Sequence, residues 1–224
     1  QMVLHGERIA TDGALRLSAT PEQWDPVPTF ASRSRDASGK QVVIRSSFPA
    51  VDLSYSLAVT PEEGGFRIAV NLDKPLPPAL AGKVGFNLDF LPSTYFGKTY
   101  LSEKQPALFP RHPAGPMKND KSGDPEPLVS GGKSFTFSPE DPLTRVTIVS
   151  DKTPIALYDA RNRAQNGWFV VRSLVPVGAK DEAIVWHVRP NVMPNWARDP
   201  VISYNQAGYT PQRNKVAMIE LDPN

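Results

Sequence analysis

The chain has three histidines, His5, His112 and His187, and no two stand at metal-ligand spacing. His187 follows Trp186 in an apolar stretch, so the two side chains point to opposite faces of a strand, which suits a structural or surface histidine better than a ligand. No H-E-x-x-H helix, G-x-S-x-G elbow, Walker loop or G-x-G-x-x-G fingerprint occurs, and the "SGG" at Ser130 and "EGG" at Glu63 read as turns. With no cysteine there is no disulfide framework and no thiolate nucleophile or metal site. Glycoside cleavage needs two carboxyl groups about 5 to 10 Å apart. Asp89, Asp120, Asp124 and Asp159 are the candidates, and none has a setting that marks it out from a solvated surface carboxylate. The residues imply no cofactor, and they leave open whether a calcium ion staples a loop.

The remaining inventory suits recognition of sugars rather than their cleavage. A pyranose ring packs its C–H face on an aromatic side chain, while its hydroxyl rim is matched by Asp, Asn, Gln and Arg. In "YDARNRAQNGW" Tyr158, Asp159, Arg161, Asn166 and Trp168 share one connection between strands, and "PSTYFGKTY" offers Tyr95 and Tyr100. Trp24 in "PEQWDPVP" and Trp196 in "MPNWARDP" are flanked by prolines and polar residues, which places them outside regular strands. These nine residues are the expected ligand-binding set.

Strands must position them. In "LSYSLAVT" Leu53, Tyr55, Leu57 and Val59 alternate with Ser54, Ser56, Ala58 and Thr60, and after "PEEGG", a hairpin connection with two glycines, Phe66, Ile68, Val70 and Leu72 alternate with Arg67, Ala69 and Asn71. "VGFNLDF" places Val84, Phe86, Leu88 and Phe90 on one face and Asn87 and Asp89 on the other, which predicts an antiparallel sheet with one wet face. Further strands are predicted from Val42, Ser134, Arg145, Trp168 and Ala183, with no helical periodicity between them. The expected fold is all-β: a large antiparallel two-sheet β-sandwich with long loops and little helix. The proline-rich stretch from Leu91 to Lys133 breaks the rhythm. Its first half, through Phe109, is apolar enough to fold over the sandwich, and its second half, from Pro110 to Gly132, is polar and expected to be mobile.

Composition bounds the function. The 24 prolines among 224 residues argue against a helical bundle. The net charge of +2 is scattered along the chain, so no nucleic-acid partner is expected. No apolar run approaches the roughly 20 residues needed to cross a bilayer, so no membrane partner is expected either. Composition fits a cytosolic and an exported protein about equally.

The stretch "NQAGYTPQRNKVA", from Asn205 to Ala217, reads as a strand, a turn set by Gly208 and Pro211, and a second strand. It closely resembles the N-Q-x-G-Y-x-P then K-x-A signature that opens the immunoglobulin-like domain preceding the catalytic barrel of family 9 glycoside hydrolases, mostly endoglucanases and related β-glycosidases. "VGFNLDFLPSTYFGKTY" is similar to a long N-terminal module of some bacterial members. The resemblance implies that residues 1–199 are an accessory β-sandwich and that residues 200–224 are a linker and the first strands of an immunoglobulin-like domain. It also implies a secreted or periplasmic setting. The barrel's D-A-G-D aspartates and late catalytic glutamate have no counterpart here, so no catalytic residue carries over. The leading expectation is a non-catalytic module that binds β-glucan-type polysaccharide. A structural module docked on the immunoglobulin-like and catalytic domains of the same polypeptide comes next, and a stand-alone glycosidase last. The open strands near the C-terminus are expected to pack on the sandwich or to pair with a second copy.

Overall fold

The computed structural model describes residues 1–21, 25–103, 105–112, 126–162 and 167–222. The strands run in chain order as β1 (Met2–Leu4), β2 (Glu7–Leu17), β3 (Thr29–Arg35), β4 (Val42–Phe48), β5 (Leu53–Glu62), β6 (Gly65–Leu72), β7 (Val84–Phe90), β8 (Thr99–Ser102) and β9 (Pro106–Leu108). They continue as β10 (Val129–Gly132), β11 (Ser134–Phe137), β12 (Val146–Ser150), β13 (Ile155–Asp159), β14 (Phe169–Leu174), β15 (Ile184–Pro190), β16 (Val201–Tyr204) and β17 (Ala217–Glu220). One sheet has six strands in the order β1-β2-β7-β14-β13-β10, and the other has nine in the order β3-β4-β5-β6-β15-β12-β11-β8-β9. The two face each other as an all-β antiparallel sandwich.

Alternation builds the interior. Leu53, Tyr55 and Leu57 of β5, Ile68 and Val70 of β6 and Val146 and Ile148 of β12 are buried in one core with Phe86 and Phe90 of β7 from the other sheet. Trp186 of β15 meets Phe86 edge to face at 5.0 Å, and its indole N–H donates to the Ser173 hydroxyl at 3.1 Å. The ring is thereby buried with its one polar atom satisfied. β5 and β6 run on through the glycine-rich connection until Glu62 pairs with Gly65, which leaves only Glu63 and Gly64 as the turn. Gly64 takes φ 73°, a value that favours glycine.

Two expectations need correction. All seven residues of β7 are buried, so Asn87 and Asp89 do not face water. The chain after β2 returns across that face: the Ser18 carbonyl accepts from Arg172, and the nearby Asp25 is itself buried. The polar half of the proline-rich stretch also contributes structure, because β10 is an edge strand pairing with β13. Residues 113–125 of that half lie outside the described residues. Its apolar half folds over the sandwich through a short α-turn at Pro92–Tyr95 and through β8 and β9, which extend the nine-stranded sheet. β16 and β17 form a separate two-stranded ladder whose residues are all exposed.

Candidate functional site

At one end of the sandwich, the segment after β7 is held by aromatic packing and by one arginine. Tyr95 is 0% exposed and Tyr100 5%, and both pack on Phe109 within a cluster that includes Phe135 and Phe137. The Tyr95 hydroxyl donates to the Thr144 carbonyl at 3.0 Å, and burial pushes its pKa up, with Asp141 adding to the effect. Lys98 lies over the Tyr95 ring and bridges Asp141 at 2.7 Å. Arg161 donates to the carbonyls of Pro110 and Arg111 at 2.6 and 3.0 Å, and to both Asp159 oxygens at 2.8 and 2.7 Å. Its guanidinium rests on Phe169, 4.7 Å from the ring centre. The Asp159 side chain is 2% exposed.

Four of the nine expected ligand-binding residues are thus structural. Tyr95 and Tyr100 offer no ring face to a ligand, because the segment that carries them is the lid of the aromatic core. Asp159 and Arg161 spend their hydrogen-bonding capacity on each other and on the backbone of that lid. Trp24 and Asn166 lie outside the described residues. Trp196 is half-buried against His5 at the β1–β2 turn, with ring centres 5.1 Å apart. His5 also accepts from the Met193 N–H at 3.0 Å and reaches the Leu143 carbonyl at 2.8 Å, so it pins the chain after β15 to the first hairpin. Tyr158 and Trp168 remain, both half-buried.

Tyr158 belongs to the face that sequence patterning missed. It pairs with Val170, and Ala156 pairs with Arg172, so Tyr158 and Arg172 lie on the outer side of the six-stranded sheet. On the same side Asn87 stands beside Arg172 and Ala14, and Asp89 stands beside Asp12. Arg172 is buried and donates to the Asn87 side-chain oxygen at 3.2 Å, and burial lowers its pKa. Gly85 makes room for it, since a Cβ there would stand 2.6 Å from Nε. Asp12 pairs with Arg16 at 2.9 Å.

Asp89 is incompletely satisfied: its buried Oδ1, like Arg172 Nε, has no hydrogen-bond partner among the described residues. Burial raises its pKa to about 7; Arg16 and Arg172 oppose the shift, and Asp12 and Asp25 reinforce it. At the β10 edge of this face an open groove of about 310 Å³ is lined by Tyr158, Arg172, Ser130, Pro127, Pro154 and Leu174. An aromatic ring, a guanidinium and a hydroxyl therefore border one depression, and burial raises the Tyr158 pKa.

Outside this face, His187 joins Glu62 at 2.7 Å and Asp151 at 3.1 Å on the outer side of the nine-stranded sheet. No group of three or more His, Asp or Glu among the described residues could hold a metal ion. No helix among them is long and apolar enough to cross a membrane.

No family of known proteins matches the chain, and no curated protein matches it. Among solved structures, the crystal structure of the Slr1438 protein from Synechocystis sp. PCC 6803 is similar at 11% identity and a TM-score of 0.35, covering 73% of this chain. The chain spans 66% of that protein's length. A likeness at this level carries no statement about function.

Proposed function

We propose that the chain is a non-catalytic accessory module of a glycan-degrading enzyme, and that it holds a β-glucan-type chain in the groove beside Tyr158. The observation that carries this reading is the grouping of Tyr158, Arg172 and Ser130 around a groove of about 310 Å³. That volume lies at the small end of ligand sites, which suits one ring of a polysaccharide rather than a long segment. Tyr158 supplies area for the C–H face of a sugar, and the polar rim of the groove supplies direction. A weak site of this kind acts by raising the effective concentration of a linked catalytic domain at its substrate. The resemblance of Asn205 to Ala217 to the start of an immunoglobulin-like domain supports the same context and, with it, a secreted or periplasmic setting.

A structural role is the second reading, favoured by a different observation. Ile202, Tyr204, Ile219 and Leu221 form an exposed apolar surface on and beside one face of the β16–β17 ladder, suited to contact with following domains of the same polypeptide or with a second copy. Affinity electrophoresis against cellulose, xyloglucan, mixed-linkage glucan and chitosan separates the two readings. Retardation in at least one gel, lost in Tyr158→Ala with circular dichroism unchanged, is the expected result. No retardation in any gel refutes the glycan-binding reading and leaves the structural one.

A further inference from the structure

A second cavity lies on the opposite flank, where β3, β4, β5 and β6 face β1, β2 and β7. It measures about 500 Å³ and is open to solvent. Its walls are Met2, Ile44, Val59, Phe66 and Leu88, with Arg33 at the rim. Strand register explains the arginine. Arg33 pairs with Ile44, Ile44 with Leu57 and Leu57 with Val70, so all four lie on the face turned toward the other sheet. In the next row Arg35, Val42, Val59 and Ile68 share that face. Leu57, Val70 and Ile68 are core, whereas every residue of β3 is exposed. The nine-stranded sheet therefore presents two arginines beside an apolar cleft. Neither side chain has a hydrogen bond or ion pair with any described residue.

Charges pointing inward on an edge strand protect it from pairing with other chains, and that accounts for arginines on β3. It does not account for the cleft. Ordered water needs two to four polar partners, and the aliphatic walls supply few. The nearest acid, Asp12, is paired with Arg16 and accepts from the Gly13 N–H. A sugar is a poor occupant, since its hydroxyls would meet Ile44, Val59 and Leu88. The occupant that matches is apolar along its length and anionic at one end.

We propose that this cleft binds an amphipathic carboxylate, with an unbranched acyl chain between Ile44, Val59, Phe66 and Leu88 and the carboxylate paired with Arg33. The site is separate from the groove at Tyr158 and does not depend on the glycan reading. Isothermal titration with dodecanoate, below the concentration at which it forms micelles, tests it. Dodecanoate binds saturably at one site per chain, and dodecyltrimethylammonium of equal chain length binds at least tenfold more weakly. Arg33→Met weakens dodecanoate about tenfold, the scale of a lost charge-assisted hydrogen bond. Arg33→Glu inverts the preference between the two probes, and because β3 is exposed this variant keeps the fold. Val42→Trp, which fills the mouth of the cleft, abolishes binding of both. Absence of saturable dodecanoate binding overturns the proposal, as does binding that is indifferent to head-group charge or unchanged by Arg33→Glu.

Discussion

Replacing Asp89 with asparagine isolates the cost of holding a carboxyl group between β2 and β14. Asp89 is 6% exposed, and its pKa rises from 3.8 to about 7. At about 1.36 kcal/mol per pH unit, the fold favours the protonated over the ionised form by ~4 kcal/mol. The sign follows from proton counting. Between pH 4 and pH 7 the native state binds the proton that the unfolded chain has released, so stability falls as pH rises. The favourable contribution is complete below about pH 4, is lost as pH passes the raised native value, and is level above it. The substituted asparagine cannot titrate, and its amide N–H groups sit among the Asp12 and Asp25 carboxylates. Urea unfolding of both proteins from pH 4 to pH 8 should therefore give curves that diverge by ~4 kcal/mol, Asp89→Asn gaining on the parent as pH rises. Subtraction removes the other titrating groups, which both proteins share. Curves that stay parallel within about 1 kcal/mol across that range would refute the assignment of a buried, protonated Asp89.

Further outcomes follow from single contacts. The His187 pKa is raised, first by its hydrogen bond to Glu62 and then by Asp151, with burial opposing. Its stabilising contribution is present below pH 6.5 and lost as pH rises through the raised value; NMR titration should place its midpoint above 6.5, and Glu62→Gln should lower it. Phe109→Ala removes the ring packed against Tyr95, Tyr100, Phe137 and Phe169, and should cost about 3 to 5 kcal/mol by urea unfolding. Gly65→Ala places a Cβ 2.0 Å from the Val188 carbonyl of the neighbouring strand, which cannot yield as a side chain can. It should lower stability by about 1 to 3 kcal/mol or more, read as a drop in the thermal midpoint.

Most of the sandwich was legible because β5, β6 and β7 alternate in sequence and β4, β11, β12, β14 and β15 are short runs rich in β-branched and aromatic residues. β2 was hidden by its own irregularity: the register shifts between Ala10 and Asp12, and Gly13 sits in the middle. β3, "TFASRSR", has no buried residue and hence no hydrophobic signal. β10 is two glycines of four residues, and β8 and β9 lie among prolines. The site was less legible for one physical reason. Alternation assigns a side chain to a face, but burial of that face depends on what crosses it. Asn87 and Asp89 read as solvated, and residues after β2 cover their face. Tyr95 and Tyr100 read as exposed loop aromatics, and their own loop closes over them. Tyr158, whose polar neighbours drew attention to it, does line a groove, together with Arg172, which alternation alone could have placed on the same side.

Strand order has a consequence for synthesis of the chain. β14 is the link between β7 and β13, and β15 is the link between β6 and β12. Until residues 169–190 have left the ribosome, each sheet exists as two unjoined pieces with raw edges facing each other across a gap. The N-terminal half therefore cannot settle as it emerges; Ala10 must already be waiting for Phe90, and that pair in turn for Phe169. Such long-range closure is slow and leaves unpaired edges open to other chains. The interval between making β7 and making β15 is thus when the chain carries the most unpaired strand edge, and it is the stage at which aggregation during synthesis should be greatest.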